Sequence, residues 1–290
     1  MAKIHDILAA GPSYSFEFSP PRTAEAEAQF WSTLDELVPL HPSYFSVTYG
    51  AGGSTRDTTR DIVIRLNRER GVTTMAHLTC AAHTRAALEE LVVQYRDSGV
   101  VENILALGGD PPQGYDGPPG ELTHASELVE LIRGVGDFSI GVAAHPEPHP
   151  RSASVAADRE HTAAKLELAD FAITQFFFEA HHYFELVESL AALGCTKPVI
   201  PGIMPATSIA SIERMAQLQG SEFPGWLTEI LRAADERGAE AVLAAGVDAA
   251  TRLCEELIAG GVPGLHFFAF NRTTALAARD IHRRLDLPTT

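Results

Sequence analysis

Short apolar runs alternate with longer amphipathic segments along most of the chain. The short runs are rich in β-branched and aromatic residues and predict strands over 13–19, 44–50, 73–80, 103–109, 138–146, 171–177, 198–204 and 264–270. Between them, apolar residues recur at three- and four-residue intervals, which predicts helices, among them 84–98, 181–193 and 239–259. Thr84 and Ser208 stand where helix N-caps belong. Eight strand–helix units in succession predict an α/β fold closed as a single (β/α)8 TIM barrel over 1–290. A doubly wound open sheet is the alternative. Two connections are long. Residues 110–122 are too rich in Pro and Gly to be helical, and 218–238 carries an extra apolar segment. In a barrel, the connections that follow strands build the ligand-binding face.

Composition narrows the classes. A chain of 290 residues suits one α/β barrel, and 45% hydrophobic with 21% charged residues fits a globular protein. Lys plus Arg number 22 against 38 Asp plus Glu, a net charge of −16. That balance repels phosphate backbones and argues against a nucleic-acid partner. An anionic ligand would need a local cluster of donors. The three cysteines, Cys80, Cys195 and Cys254, are odd in number and widely spaced, which argues against a disulfide scaffold and for a reducing compartment. The first residues show no apolar signal region, and no window approaches the roughly 18–20 apolar residues of a membrane span. The expectation is a cytoplasmic protein with no membrane partner.

Ionisable residues on barrel strands invite attention. Tyr14, Phe16 and Phe18 alternate with Ser15, Glu17 and Ser19, so Glu17 faces away from three aromatics. If the aromatics pack under helices, Glu17 points into the barrel. There desolvation would raise its pKa and make it a proton donor near neutral pH. A structural role, held by a barrel Arg or Thr, is the competing reading. Thr48, His77, Asp110, His145 and Gln175 each lie at or just past the C-terminal end of a predicted strand. Any one alone is weak; together they converge on the face where barrel enzymes place chemistry.

Other signals carry less. The glycine-rich stretch 49–54 follows a strand but matches neither G-x-G-x-x-G nor a Walker A loop. His145 and His149 have the spacing of a metal pair. The prolines at 146 and 148 forbid the helix that usually presents one, so no metal is expected. His181 and His182 open a helix and read as solvated. The lysines are Lys3, Lys165 and Lys197. None sits at a strand's C-terminal end, which argues against Schiff-base chemistry. Lys165 is instead a candidate anion contact.

The strand ends, read in order, resemble the methylenetetrahydrofolate reductase family. The matching pieces are SFEFSPPRT (15–23), SVTYGAGGSTRD (46–57), AHLTC (76–80), ALGGDPP (106–112), VAAHPEPHP (142–150), AITQFFF (172–178), IPGIMP (200–205) and HFFAFNR (266–272). The resemblance implies a barrel carrying FAD along its C-terminal face, reduced by NADH or NADPH and oxidised by methylenetetrahydrofolate in turn. It also implies a homo-oligomer. It makes Glu17 the acid that opens the folate ring, Asp110 the carboxylate beside pterin and flavin, and Gln175 a hydrogen-bonding partner of both ligands. It places Thr48, Tyr49, Ala51, His77, Gly108, Gly109, Asp110, Ala125, His145, His149, Ser152, Asp158, His161, Ala164 and Lys165 against FAD. It places Ser211, Met215 and Arg272 against the substrate.

The chain departs from the family pattern in places. Gly108 stands where an arginine often serves the flavin diphosphate, His145 where an aromatic is common, His161 where an asparagine is, and Met215 where a phenylalanine stacks on substrate. Gly108 keeps a second reading open, a flavin-free reductase passing hydride directly from NADH to folate. A different barrel enzyme, such as a lyase, and a non-enzymatic binding protein are the remaining alternatives.

Overall fold

A computed structural model describes residues 2–50, 55–110, 114–118 and 120–287. In chain order the elements are α1 (Ile4–Ala10), β1 (Ser13–Phe18), α2 (Ala24–Leu37), β2 (Tyr44–Val47), α3 (Arg56–Arg70), β3 (Thr74–Thr79), α4 (Arg85–Ser98), β4 (Asn103–Leu107), α5 (Ala125–Val135), β5 (Ser139–Ala144), α6 (Val155–Leu168), β6 (Phe171–Phe176), α7 (Ala180–Ala192), β7 (Val199–Ile203), α8 (Ile209–Gln219), α9 (Gly225–Asp235), α10 (Ala239–Ala259), β8 (Gly264–Phe268) and α11 (Arg272–Arg284). The eight strands close into a barrel in sequence order. Each pairs in parallel with the next, and β8 returns to β1 with Glu17 opposite Phe268. The predicted (β/α)8 architecture is the observed one.

All eight predicted strands are present, but each prediction overruns at its C-terminal end. The strand predicted to residue 50 ends at Val47, and the one predicted to residue 109 ends at Leu107. The reason lies in the backbone. Single bonds such as Thr48 N–H to Phe18 O (2.9 Å) and Cys80 N–H to Leu107 O (3.1 Å) carry the extended conformation past the ladder. The small and apolar side chains there hide the point where it leaves. Thr84 caps α4 by accepting from the Ala87 amide; Ser208 occupies the cap position of α8 without such a bond. The extra segment after residue 218 folds as α9, packed against α10.

Two surfaces are buried. Outside the barrel, Tyr14, Phe16 and Phe18 pack with Phe30, Leu34 and Phe45 in the main core under the helices. That turns Ser15 and Glu17 inward, as the alternation requires. Inside, Tyr44, Met75, Leu105, Phe171, Ile173 and Ile200 form a second core with Ile4, flanked by Ile7 and Leu8. The helix α1 thus closes the barrel's N-terminal mouth. Asn103 holds it there: its side chain accepts from the Ile4 amide (2.7 Å) and donates to Ala2 O (3.1 Å) and Thr74 O (3.1 Å). At the other end, a Cβ on Gly202 would lie 2.3 Å from Thr174 O and 2.7 Å from the Phe268 ring. Glycine there lets Phe268 lean into the barrel mouth.

Because Ile4 is fully buried and fills the mouth, Ile4→Ala should cost about 2–4 kcal/mol. Urea denaturation checks this; a loss below about 1 kcal/mol would mean that α1 does not seal the core.

Candidate active site

Four adjacent strands, β8, β1, β2 and β3, bring five polar side chains together inside the barrel. Ser15 Oγ lies 2.7 Å from His266 Nδ1, and His266 Nε2 lies 2.9 Å from Glu17 Oε2. The same oxygen is 3.2 Å from His77 Nε2, which is 2.6 Å from Ser46 Oγ. Glu17 is 5% exposed and His266 0%, so water does not screen this chain of contacts.

The arrangement corrects one expectation. Burial does push the Glu17 carboxyl upward, and that is the largest single influence. The charge of His77, hydrogen bonds from both imidazoles and the charge of His266 together outweigh it, lowering the pKa to about 2. In this structure Glu17 is therefore a carboxylate that accepts hydrogen bonds from both imidazoles. Sequence reasoning had His77 but missed His266, Ser15 and Ser46. The signal was present: His266 and Phe268 share one face of β8, so an ionisable group sat at an inward position.

Beside this network a groove of about 550 Å³ opens at the C-terminal ends of the strands. Phe176, Phe268, Phe270 and Met215 give it an apolar floor; Asp110, Gln175, His145, His149 and Arg151 supply polar groups. Volume and lining suit an organic ligand of some size. The structure thus brings Asp110, His145, His149, Gln175 and Met215 to one site. Thr48 and Tyr49 lie on the connection after β2. There Thr48 O accepts from Thr59 Oγ1 (2.9 Å), and the Tyr49 hydroxyl lies 2.8 Å from His83 Nε2. Gly108 and Gly109 follow β4. Gly109 adopts φ +74°, and a Cβ there would meet Thr79 at 2.7 Å. At Gly108 a Cβ would find only Thr123 O, at 3.8 Å.

The connection between β5 and α6 is tightly built. Asp158 is buried and accepts from the His149 amide (3.0 Å) and from Ser152 Oγ (2.8 Å). Arg159, also buried, donates to His145 O (2.7 Å) and Pro146 O (2.5 Å). The His145 and His149 rings meet edge to face at 4.7 Å. Burial first, then the charges of His149 and Lys165, hold the His145 imidazole down to about 4. It is a neutral ring at physiological pH. Lys165 donates to Ala143 O (2.8 Å), and its burial lowers its pKa with only Asp158 offsetting. A half-buried ammonium so sparsely compensated suits a bound anion, and on that ground these residues fit the diphosphate of a flavin dinucleotide.

Other expected positions fall elsewhere. Ala51 lies outside the described residues. Ala125 is buried at the start of α5, and His161 and Ala164 are exposed on α6. Ser211 is exposed on α8. Arg272 turns to α2, where it pairs with Glu36 at 2.5 Å. Of the described residues, Ala125, His161, Ala164, Ser211 and Arg272 do not line the groove. His182 was expected to be solvated, yet its Nε2 is buried, 3.8 Å from Glu147 and 3.9 Å from Glu222. These three form a grouping with ligand-like spacing among the described residues; the His145–His149 pair is not part of it. Burial and the nearby Glu127 push the Cys80 thiol up to about 12, so it is no thiolate. Among the described residues no helix is long and apolar enough to cross a membrane.

Comparison with known proteins decides the family. The family model for methylenetetrahydrofolate reductase matches residues 3–285. The chain belongs to that family. It is 36% identical over 259 residues to the 5,10-methylenetetrahydrofolate reductase of Escherichia coli, covering 89% of this chain and 86% of the relative. It is equally identical to the enzyme of that name from Pectobacterium carotovorum, covering 89% and 85%. The Arabidopsis thaliana protein called methylenetetrahydrofolate reductase (NADH) 1 is 34% identical, covering 93% of this chain and 48% of the relative. Among solved structures, an uncharacterised Clostridium thermocellum protein described as binding two copies of 5-methyltetrahydrofolic acid superposes with a TM-score of 0.69. It covers 96% of this chain and 99% of its own at 16% identity, a likeness of fold alone.

The lowered Glu17 pKa has a consequence for stability. A group whose pKa falls on folding stabilises above its unfolded value and loses that contribution as pH drops through the folded one. Wild-type stability relative to Glu17→Gln should therefore decline between about pH 4.5 and about pH 2. Urea titrations of both proteins across that window check it; a difference that does not change with pH contradicts it.

Proposed function

We propose that this chain reduces 5,10-methylenetetrahydrofolate to 5-methyltetrahydrofolate, with NADH or NADPH as hydride source and FAD held along the C-terminal face. The observation that supports it most is the placing of Glu17, a buried carboxylate bridged by two imidazoles, one of which, His266, meets at 5.5 Å the Phe268 ring that lines the groove with Asp110 and Gln175. Bound FAD would accept hydride from the nicotinamide and release it to the folate, so both ligands can use one groove in turn.

The protein's own residues do the rest. Reduction of the folate first needs its five-membered ring opened, which requires a proton on the departing amine nitrogen. Glu17 hands over that proton after drawing it from His266 or His77, whose ring nitrogens lie 2.9 and 3.2 Å from Oε2. The imidazole that gave the proton is left one short and regains it from solvent, which restores the resting network. Asp110, exposed at the end of β4, places negative charge where the resulting iminium is positive. Gln175 on β6 orients the ring by hydrogen bonding. Phe176, Phe268 and Met215 keep water from the hydride-accepting carbon. Lys165, His149 and Ser152 would hold the dinucleotide's polar end.

A second reading rests on Gly108. Because no side chain stands there although one has room, the flavin site lacks a donor at the end of β4. Direct hydride transfer from NADH to folate follows if FAD does not bind. The visible spectrum of the purified protein separates the two. A flavin band that NADH bleaches without oxygen and methylenetetrahydrofolate restores supports the first reading. A colourless protein, still colourless after added FAD, that oxidises NADH only with the folate moves the assignment to the second. In that case Gly108→Arg should raise FAD affinity by roughly tenfold, the usual contribution of a charge-assisted guanidinium–phosphate contact. NADH oxidation indifferent to the folate would overturn both.

A further inference from the structure

We propose that Arg151 is the diphosphate anchor of this groove, gripping the phosphates of a bound dinucleotide, FAD or the reduced nicotinamide. This rests on the reading that a dinucleotide occupies the groove.

Arg151 is the one lysine or arginine among the residues that line the described groove. In a chain of net charge −16, that placement singles it out for an anionic ligand. The other cations nearby are held by the fold: the Arg159 guanidinium donates to His145 O, Pro146 O and Asp158, and the Lys165 ammonium, which would share the diphosphate with Arg151, donates to Ala143 O. Among the described residues Arg151 has one ionic partner, Asp110 at 3.3 Å, and both side chains are open to solvent, at 72% and 77% exposure. A pair so exposed contributes little, so its guanidinium can turn to a phosphate at small cost.

The backbone that carries it is ordered beforehand. The Arg151 amide donates to His149 Nδ1 (3.0 Å), and the Ser152 amide to His149 O (2.8 Å). The His149 amide and the Ser152 hydroxyl both close onto Asp158. With Nδ1 accepting, the neutral His149 ring carries its proton on Nε2. The groove-lining ring thereby becomes a second donor beside the guanidinium. A fork of guanidinium donors plus an imidazole N–H, on a loop pinned at both sides, suits the paired oxygens of a diphosphate. Seating the phosphates on Arg151 also takes it from Asp110, which leaves that carboxylate free to face a cationic substrate. Anchoring and freeing of Asp110 are then one event.

The test is equilibrium binding of FAD, riboflavin, NADH and adenosine to the full chain, without folate, measured by calorimetry for wild type, Arg151→Gln, Arg151→Lys and Asp110→Asn. Arg151→Gln should weaken FAD or NADH by roughly tenfold, identifying which diphosphate sits there. Riboflavin and adenosine, which lack phosphates, should be unaffected. Arg151→Lys should fall between, because it keeps the charge and loses the fork. Asp110→Asn should tighten the same ligand by about two- to threefold, a gain that a merely structural Arg151 would not produce. Affinities of FAD and NADH within twofold of wild type in Arg151→Gln would overturn the proposal. An equal loss for the phosphate-free ligands would do so too, as would lack of FAD and NADH binding by wild type. Because folate is left out, the result stands apart from whether the chain reduces methylenetetrahydrofolate.

Discussion

One carboxylate oxygen shared by two imidazoles governs this molecule. Glu17 Oε2 sits inside a closed sheet, where an isolated charge would be intolerable, and its partners come from the strands on either side of β1 and β2. Ser15 and Ser46 complete the row, each on the far side of an imidazole. Barrel closure and the network depend on each other. The register that pairs Glu17 with Ser46 on one side and with Phe268 on the other sets the five side chains at bonding distance. A slip of one residue would turn Glu17 out toward the helices.

Around that row the barrel divides by height. Its lower half is filled by Tyr44, Met75, Leu105, Phe171 and Ile200 and stoppered by α1. Its upper half trades packing for polarity and space, with Gly202 making room for the Phe268 ring beneath the groove. Stability is thus concentrated away from the groove, and the ionisable side chains Glu17, His77 and His266 stand further along their strands than this apolar layer.

Much of this was legible in the chain. The eight apolar runs carry the period of strands, and the alternation of Tyr14, Phe16 and Phe18 with Glu17 fixes the inward side of β1. What sequence could not show is anything that depends on two strands at once. The sign of the Glu17 shift follows from His77 and His266, which are distant in sequence and adjacent only through barrel closure. Reading β1 alone gives burial and hence the opposite direction. The helix α1 was missed because a seven-residue segment is too short for periodicity to declare itself. The resemblance sets Arg272 against the substrate, but α11 begins there and turns it to Glu36.

The central claim is that Glu17 supplies the proton of the folate step and takes no part in withdrawing hydride from the nicotinamide. The most direct measurement follows the two half-reactions of Glu17→Gln in single turnover, NADH oxidation on one side and methylenetetrahydrofolate reduction on the other. Loss of folate reduction by a factor of at least about 10², the scale of a general acid, with NADH oxidation retained, is the result this account predicts. Equal loss of both half-reactions, or retention of both, would contradict it.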